Sequence, residues 1–294
     1  MTHPAPVDLP TSKLFRLEER TIVITGGAGA VGSSVAKAIL ESGGDVVLLD
    51  MAASAKPDIW KMIQDAAEAN STQASYFQVN VTDADSIAPL FDKIRPTLRH
   101  PTRGLVAAAG ISGEANATDY PIDIFRKIID VNVAGTFLIT QAVAREMHRS
   151  NVPGSVVLIA SMSGWIANRG INTAAYNASK SAVHQLARSL AAEWGHPNNT
   201  FPGNTIDGTS IPKSEEGVSY PPIRVNTLSP GHIETPLSES ARVRGLTDKW
   251  ADQNMLGRIS QVDEFRAPVL FLLGDGSSYM TGADLRVDGG HCAW

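Results

Sequence analysis

From Thr21 onward, short apolar runs alternate with segments whose apolar positions recur at helical spacing, and the alternation continues almost to the C-terminus. The apolar runs predict strands at TIVIT (21–25), DVVLLD (45–50), SYFQV (75–79), GLVAAAG (104–110), SVVLIA (155–160), IRVNTLS (223–229) and DLRVDG (284–289). The stretches between them predict helices over 31–41, 58–69, 85–94, a long one over 123–148, then 174–194 and 263–273. Strands that are apolar along most of their length are buried on both faces. Their order therefore predicts an α/β fold: one doubly wound, mostly parallel sheet of seven strands with helices on both sides. In such sheets ligands bind beyond the carboxyl ends of the strands, where strand order reverses. Chemistry is expected in the segments that follow strands.

Composition changes this picture little. The 294 residues, 43% hydrophobic and 19% charged, suit a globular chain. They are expected to form a single domain over 19–294, preceded by a flexible arm over 1–18. A Pro-, Gly-, Asn- and Ser-rich insertion over 196–222 interrupts the rhythm, and it is expected on the surface away from the chemistry. The net charge of −5, with no cluster of Lys and Arg, argues against a nucleic-acid partner. The N-terminus lacks a signal-like apolar core, and no apolar run is long enough to span a bilayer, so no membrane association and a cytoplasmic location are expected. Cys292 is the sole cysteine, and the seven histidines show no paired ligand spacing, so no metal site is expected.

Directly after the first strand comes TGGAGAVG (25–32), in which Gly27, Gly29 and Gly32 satisfy G-x-G-x-x-G. Such a turn lets backbone approach a pyrophosphate, and the N–H groups and dipole of the helix it opens favour the anion. Asp50 closes the second strand with no basic residue beside it. A carboxylate there accepts from both ribose hydroxyls and repels a 2′-phosphate, which favours NAD(H); the alternative is that Asp50 only caps the following turn.

The second constellation is YNASK (176–180). At i and i+4 on one helix, Tyr176 and Lys180 share a face. A phenol titrates near 10 and needs a cation to act at neutral pH. Two charges about 4 Å apart interact by about 4 kcal/mol at an effective dielectric near 20, roughly three pKa units. Ser161 ends the fifth strand run, with Ser163 close behind it. Asn132 is a polar residue in an otherwise apolar helical stretch.

Together with NVT (80–82), AAAG (107–110), NVAG (132–135), SMSG (161–164), RVNTLSPGHIETP (224–236) and MTGADLRVDGG (280–290), these motifs resemble the short-chain dehydrogenase/reductase family over about residues 20–290. The ending and SMSGWIAN are similar to its fungal-type polyol and ketose members. The resemblance implies a Rossmann-type fold with Tyr176 as acid/base, Lys180 as its electrostatic partner and ribose ligand, Ser161 steadying the substrate oxygen, and Asn132 holding a relay water. It implies NAD contacts at Gly26, Gly29, Ala30, Val31, Gly32, Asp50, Asn80, Val81, Ala108, Gly110, Tyr176, Lys180, Pro230, Gly231, Ile233 and Thr235. It also implies a homodimer or homotetramer built from helices near 123–148 and 174–194. Departures are Ala30 at the usual second glycine, AAAG for NNAG, and Asn80 for an aspartate. Ser161 also stands 15 residues before Tyr176, a slightly long interval, and the S-x-x-G frame with Gly164 favours it over Ser163.

The expected activity is interconversion of a secondary alcohol and a ketone, a polyol/ketose pair or a cyclic ketone. A net non-redox step (epimerisation or dehydration) and dinucleotide sensing are the alternatives. The loops at 111–122, 162–174 and 231–258 carry Glu114, Asn116, Trp165, Asn168, Arg169, Asn172, His232 and Glu234, a set able to bind hydroxyls or merely to face solvent.

Overall fold

The computed structural model describes residues 8–196, 205–206, 209–210, 220–235 and 238–294. Seven strands form one sheet: β1 (Thr21–Thr25), β2 (Asp45–Asp50), β3 (Ala74–Gln78), β4 (Thr102–Ala107), β5 (Gly154–Ile159), β6 (Ile223–Pro230) and β7 (Asp284–Val287). They lie in the order β3-β2-β1-β4-β5-β6-β7, and every neighbouring pair is parallel. Strand order reverses between β1 and β4, so the crevice for a ligand opens beyond Thr25 and Ala107.

Alternation of side chains across the pleat builds two cores. Val23, Val47, Leu105 and Val156 point to one face, under α3 (Ala84–Ile94), α5 (Thr136–Arg149) and α6 (Ala174–Trp194). Ile22, Ile24, Leu48 and Val157 point to the other, under α1 (Ala30–Glu41), α2 (Pro57–Ala69) and α9 (Arg266–Leu273). Both sets are essentially solvent-free. The doubly wound parallel sheet expected from the pattern is the fold observed.

Four departures bear on the site. β4 ends at Ala107, and residues 108–110 leave the ladder, with the Ala108 N–H donating to the Thr25 carbonyl (3.2 Å) and the Ala109 N–H to Thr25 Oγ1 (3.1 Å). The helix expected over 123–148 is two helices, α4 (Ile122–Ile129) and α5, joined by a π-helical turn over Asp130–Gly135. The wider turn holds one residue more than an α-turn. It brings Gly135 so close to Val81 that a Cβ would lie 2.6 Å from the valine Cγ2. Two short helices, α7 (Glu239–Val243) and α8 (Leu246–Asp252), fill a region the pattern left without elements. At the N-terminus, residues expected as the end of an arm pack on the body: Leu17 is fully buried and the Leu14 carbonyl accepts from the Gly276 N–H at 3.0 Å.

Residues 1–7 and most of the 196–222 insertion lie outside the described residues. Within it, Thr205–Ile206 pairs antiparallel with Thr209–Ser210. Tyr220 stacks on His148 at the end of α5, with ring centroids 4.2 Å apart. No helix among the described residues is long and apolar enough to cross a membrane.

Candidate active site

The glycine turn is shaped by what a side chain would strike. Gly26 has φ +67°, and a Cβ there would sit 2.9 Å from the Ala108 backbone; a Cβ on Gly32 would fall on the Gly26 carbonyl. These two positions need glycine. Gly29 is the N-cap of α1, so Ala30 is its first residue and meets no such collision. Asp50 Oδ2 accepts from the Ala28 N–H at 3.0 Å, and Oδ1 accepts from the Ala52 N–H at 3.1 Å. The carboxylate thus caps the turn after β2 and also braces the glycine turn from below. Asn80 spends its Oδ1 on the N–H and hydroxyl of Thr82, while Val81 is buried against Gly135.

Beyond β5 the second group assembles. Ser161 is 7% exposed, its Oγ accepts from the Ser163 N–H at 3.1 Å, and its side chain lies near enough to the Tyr176 phenol to favour the phenolate. Ser163 instead donates to Asn168 Oδ1 at 2.9 Å, so of the two candidate serines Ser161 is the one against the tyrosine. Lys180, one turn on from Tyr176 in α6, donates from Nζ to the Ile159 carbonyl at 2.8 Å and lies 5.6 Å from the Tyr176 ring centroid. Burial pushes the Tyr176 phenol up, and the nearby Ser161 side chain works against that rise. Burial pulls the Lys180 ammonium down to about 8.

Asn132 sits in the π turn and is 1% exposed. It accepts from the Ile111 N–H (2.8 Å) and donates to the Ile111 carbonyl and Ser179 Oγ (both 2.9 Å). Its side chain therefore ties the segment after β4 to α6. Gly110 fits between Asn132 and Lys180, where a Cβ would be 3.3 Å from Asn132 Oδ1 and 3.6 Å from Lys180 Nζ.

Gly110, Ser161, Tyr176 and Lys180 open into one pocket of about 410 Å³. Val31, Ala108 and Gly110 line one side, and Pro230, Gly231, Ile233 and Thr235 line another. Gly231 donates to the Val287 carbonyl, and a Cβ on it would lie 2.7 Å from Asp288 Cα. The glycine cradle, the Asp50 carboxylate at the end of β2 and the open strand ends fit a dinucleotide laid across the reversal point.

The pattern missed two groups. Arg244, between α7 and α8, forms a two-pronged ion pair with Glu114 (3.0 and 2.8 Å) beside the pocket, and Trp250 of α8 stacks on His232 at 3.9 Å. These helices carry too short an apolar period to announce themselves. Behind Ser161, His184 Nε2 lies 2.8 Å from Ser229 Oγ. Ser229 in turn donates to Asp284 Oδ1, and the Trp165 indole donates to Asp284 Oδ2. His184 lies four residues beyond Lys180 on an apolar face, a signal visible in hindsight. Trp165 is half exposed and outside the pocket lining, as is Arg169.

A family model described as short chain dehydrogenase matches residues 20–206, and one described as Enoyl-(Acyl carrier protein) reductase matches residues 218–291. The chain is 52% identical to the Short chain dehydrogenases/reductase notP' of Aspergillus versicolor, over 97% of this chain and 91% of that protein. It is 34% identical to a ribulose-forming D-arabinitol 2-dehydrogenase of Candida tropicalis, over 95% of each. An NADPH-dependent 3-quinuclidinone reductase from Rhodotorula rubra superposes with a TM-score of 0.82 at 30% identity, covering 99% of this chain and 98% of that one.

Proposed function

The chain belongs to the short chain dehydrogenase family, and on that premise we propose that it interconverts a secondary alcohol and a ketone with NAD(H), using Tyr176 as its acid/base. The observation that carries this reading is that Tyr176 and Ser161 line one pocket, with buried Lys180 beside the tyrosine ring and Val31 of the glycine turn in the same lining. The polyol dehydrogenase and the quinuclidinone reductase among its relatives support the reaction class.

The residues that would hold the dinucleotide are the turn from Gly26 to Gly32, Asp50 for the ribose, and Pro230, Gly231, Ile233 and Thr235 beyond β6. A bound nicotinamide supplies or accepts the hydride. In reduction, Tyr176 Oη gives its proton to the substrate oxygen; in oxidation it takes one back. Ser161 donates to that same oxygen and fixes its position. Lys180, held by the Ile159 carbonyl, supplies the positive charge that makes a tyrosinate accessible. Asn132 keeps the segment after β4 and α6 in register, so that Gly110 leaves room for the lysine. Asp50 supports NAD(H) over NADP(H) because a 2′-phosphate would meet an uncompensated carboxylate.

Tyr176→Phe tests the reading. Removing the hydroxyl should lower kcat by about 10²- to 10⁴-fold, while a fluorescence titration shows NADH bound as tightly as by the native chain. A variant that keeps its rate would assign the proton to another group.

A further inference from the structure

The polar side chains that would be asked to hold a sugar are held by the protein instead. Glu114 is spent on Arg244 through two hydrogen bonds. Asn172 Nδ2 donates to Asn116 Oδ1 at 2.9 Å. Asn168 accepts from Ser163 (2.9 Å) and donates to Thr173 Oγ1 (3.1 Å), whose hydroxyl in turn donates to Asn177. Glu234 accepts from the Gln261 side chain at 2.7 Å. Ser238 bonds to both ends of the Thr235 backbone. Apart from the reacting Tyr176, the polar side chains that line the pocket and make no hydrogen bond to the protein are, among the described residues, Ser112, Thr235, His232 and Trp250, whose indole N–H is buried without a partner. Ser112 is exposed, and Thr235 belongs to the segment assigned above to the dinucleotide.

What remains around the reacting centre is apolar or aromatic: Ile111, Met162, Ile171, Ala241 and the stacked pair of Trp250 and His232. The two rings are 3° from parallel, so the imidazole presents a flat, uncharged surface. Burial, together with the nearby His291, pulls its pKa to about 3, so it stays neutral throughout the physiological range. The pocket's two cations offer nothing to an anionic substrate. Lys180 is bound to a carbonyl at the reacting centre, and Arg244 is matched by a carboxylate.

We infer that the substrate is a neutral, largely apolar cyclic or aryl ketone, or the corresponding secondary alcohol, and neither a ketose nor a sugar acid. The inference rests on the function proposed above and narrows it. The carbonyl oxygen takes the hydrogen bonds of Tyr176 and Ser161, the ring lies against the apolar wall, and His232 and the unpaired Trp250 indole N–H are left to serve a further polar group. A ketose entering this pocket would surrender the water around several hydroxyls and find partners for only a few of them. The reaction balances with the family's own reductant: ketone, hydride from the reduced dinucleotide and one proton, delivered through Tyr176, give the secondary alcohol and oxidised dinucleotide.

The experiment is a comparison of kcat/KM on the full native chain, with NADH and NADPH supplied separately. One set of probes is α-tetralone and 4-methylcyclohexanone; the other is L-sorbose, D-ribulose and 5-keto-D-gluconate. The apolar ketones should be reduced with kcat/KM about 100-fold higher, the scale on which an apolar pocket discriminates against an added hydroxyl. Ketoses or the keto acid reduced as well as the ketones, or better, overturn the inference and leave the proposed function standing. Turnover of neither set also overturns it. If the fluorescence titration then detects no bound dinucleotide, the proposed function falls as well.

Discussion

The Asp50 carboxylate has one oxygen on the Ala28 N–H and the other on the Ala52 N–H, so its position is fixed before any ligand arrives. The sequence offered turn-capping and ribose recognition as alternatives, yet one side chain has lone pairs for both, because each oxygen gives only one to the backbone. Asp50→Ala should raise the efficiency with NADP(H) relative to NAD(H) by about tenfold or more, about 1.4 kcal/mol of discrimination. The ratio is the proper readout, since a loosened glycine turn weakens both cofactors alike. An unchanged ratio in steady-state assays would remove Asp50 from cofactor choice. Residue-scale reading placed the turn's glycines at Gly27, Gly29 and Gly32, whereas the left-handed backbone falls on Gly26, which the motif does not name. It stopped at the polar loop residues: Glu114, Asn168 and Asn172 look equally available on paper, and only their distant partners show them to be engaged.

Among elements, the π turn between α4 and α5 matters most for the site, and helical periodicity could not announce it. Apolar residues continue through DVNVAG at nearly helical spacing, and the added residue is accommodated by contact with Val81, far away in sequence. The turn carries Asn132 to the backbone of Ile111, which an unbroken α-helix would not do in the same register. The two helices it joins leave Ile122, Ile124 and Phe137 exposed. Exposed large apolar side chains on these helices are where the interface of the homodimer or homotetramer implied by family resemblance is to be sought. Sedimentation velocity should show the native chain as such an oligomer and Phe137→Glu shifted towards the monomer. A native monomer, or an assembly indifferent to the substitution, would place the interface elsewhere or remove it.

For the whole molecule, the sheet was legible because seven apolar strands separated by helical segments leave few other arrangements, whereas α7, α8 and the packed N-terminal stretch owe their places to tertiary contacts. Stability should also carry a molecular signature. Burial holds His148 and His184 below the ordinary imidazole range and His232 at about 3. An unfolded imidazole takes up its proton near 6.5, so on acidification the unfolded chain binds protons first and folding weakens. The His232 contribution is intact above pH 6.5 and declines below it by about 1.4 kcal/mol per pH unit until about pH 3. Urea midpoints should therefore fall between pH 7 and pH 5, and less steeply for His232→Phe, which keeps a ring against Trp250. Equal slopes would show that His232 is protonated in the folded chain.

The pocket draws its walls from opposite ends of the polypeptide: Val31 of the glycine turn from the first part, and His232, Arg244 and Trp250 from the last. They meet in space, yet no strand of the sheet runs through the described residues of the 231–250 segment. Gly231, Ile233 and Thr235 at the segment's start are assigned to the dinucleotide, so it is the stretch beyond Thr235 that can vary on its own. Mutations there can remodel what is reduced without disturbing the turn that grips the reductant, and descendants of such a chain can diversify their chemistry one end at a time.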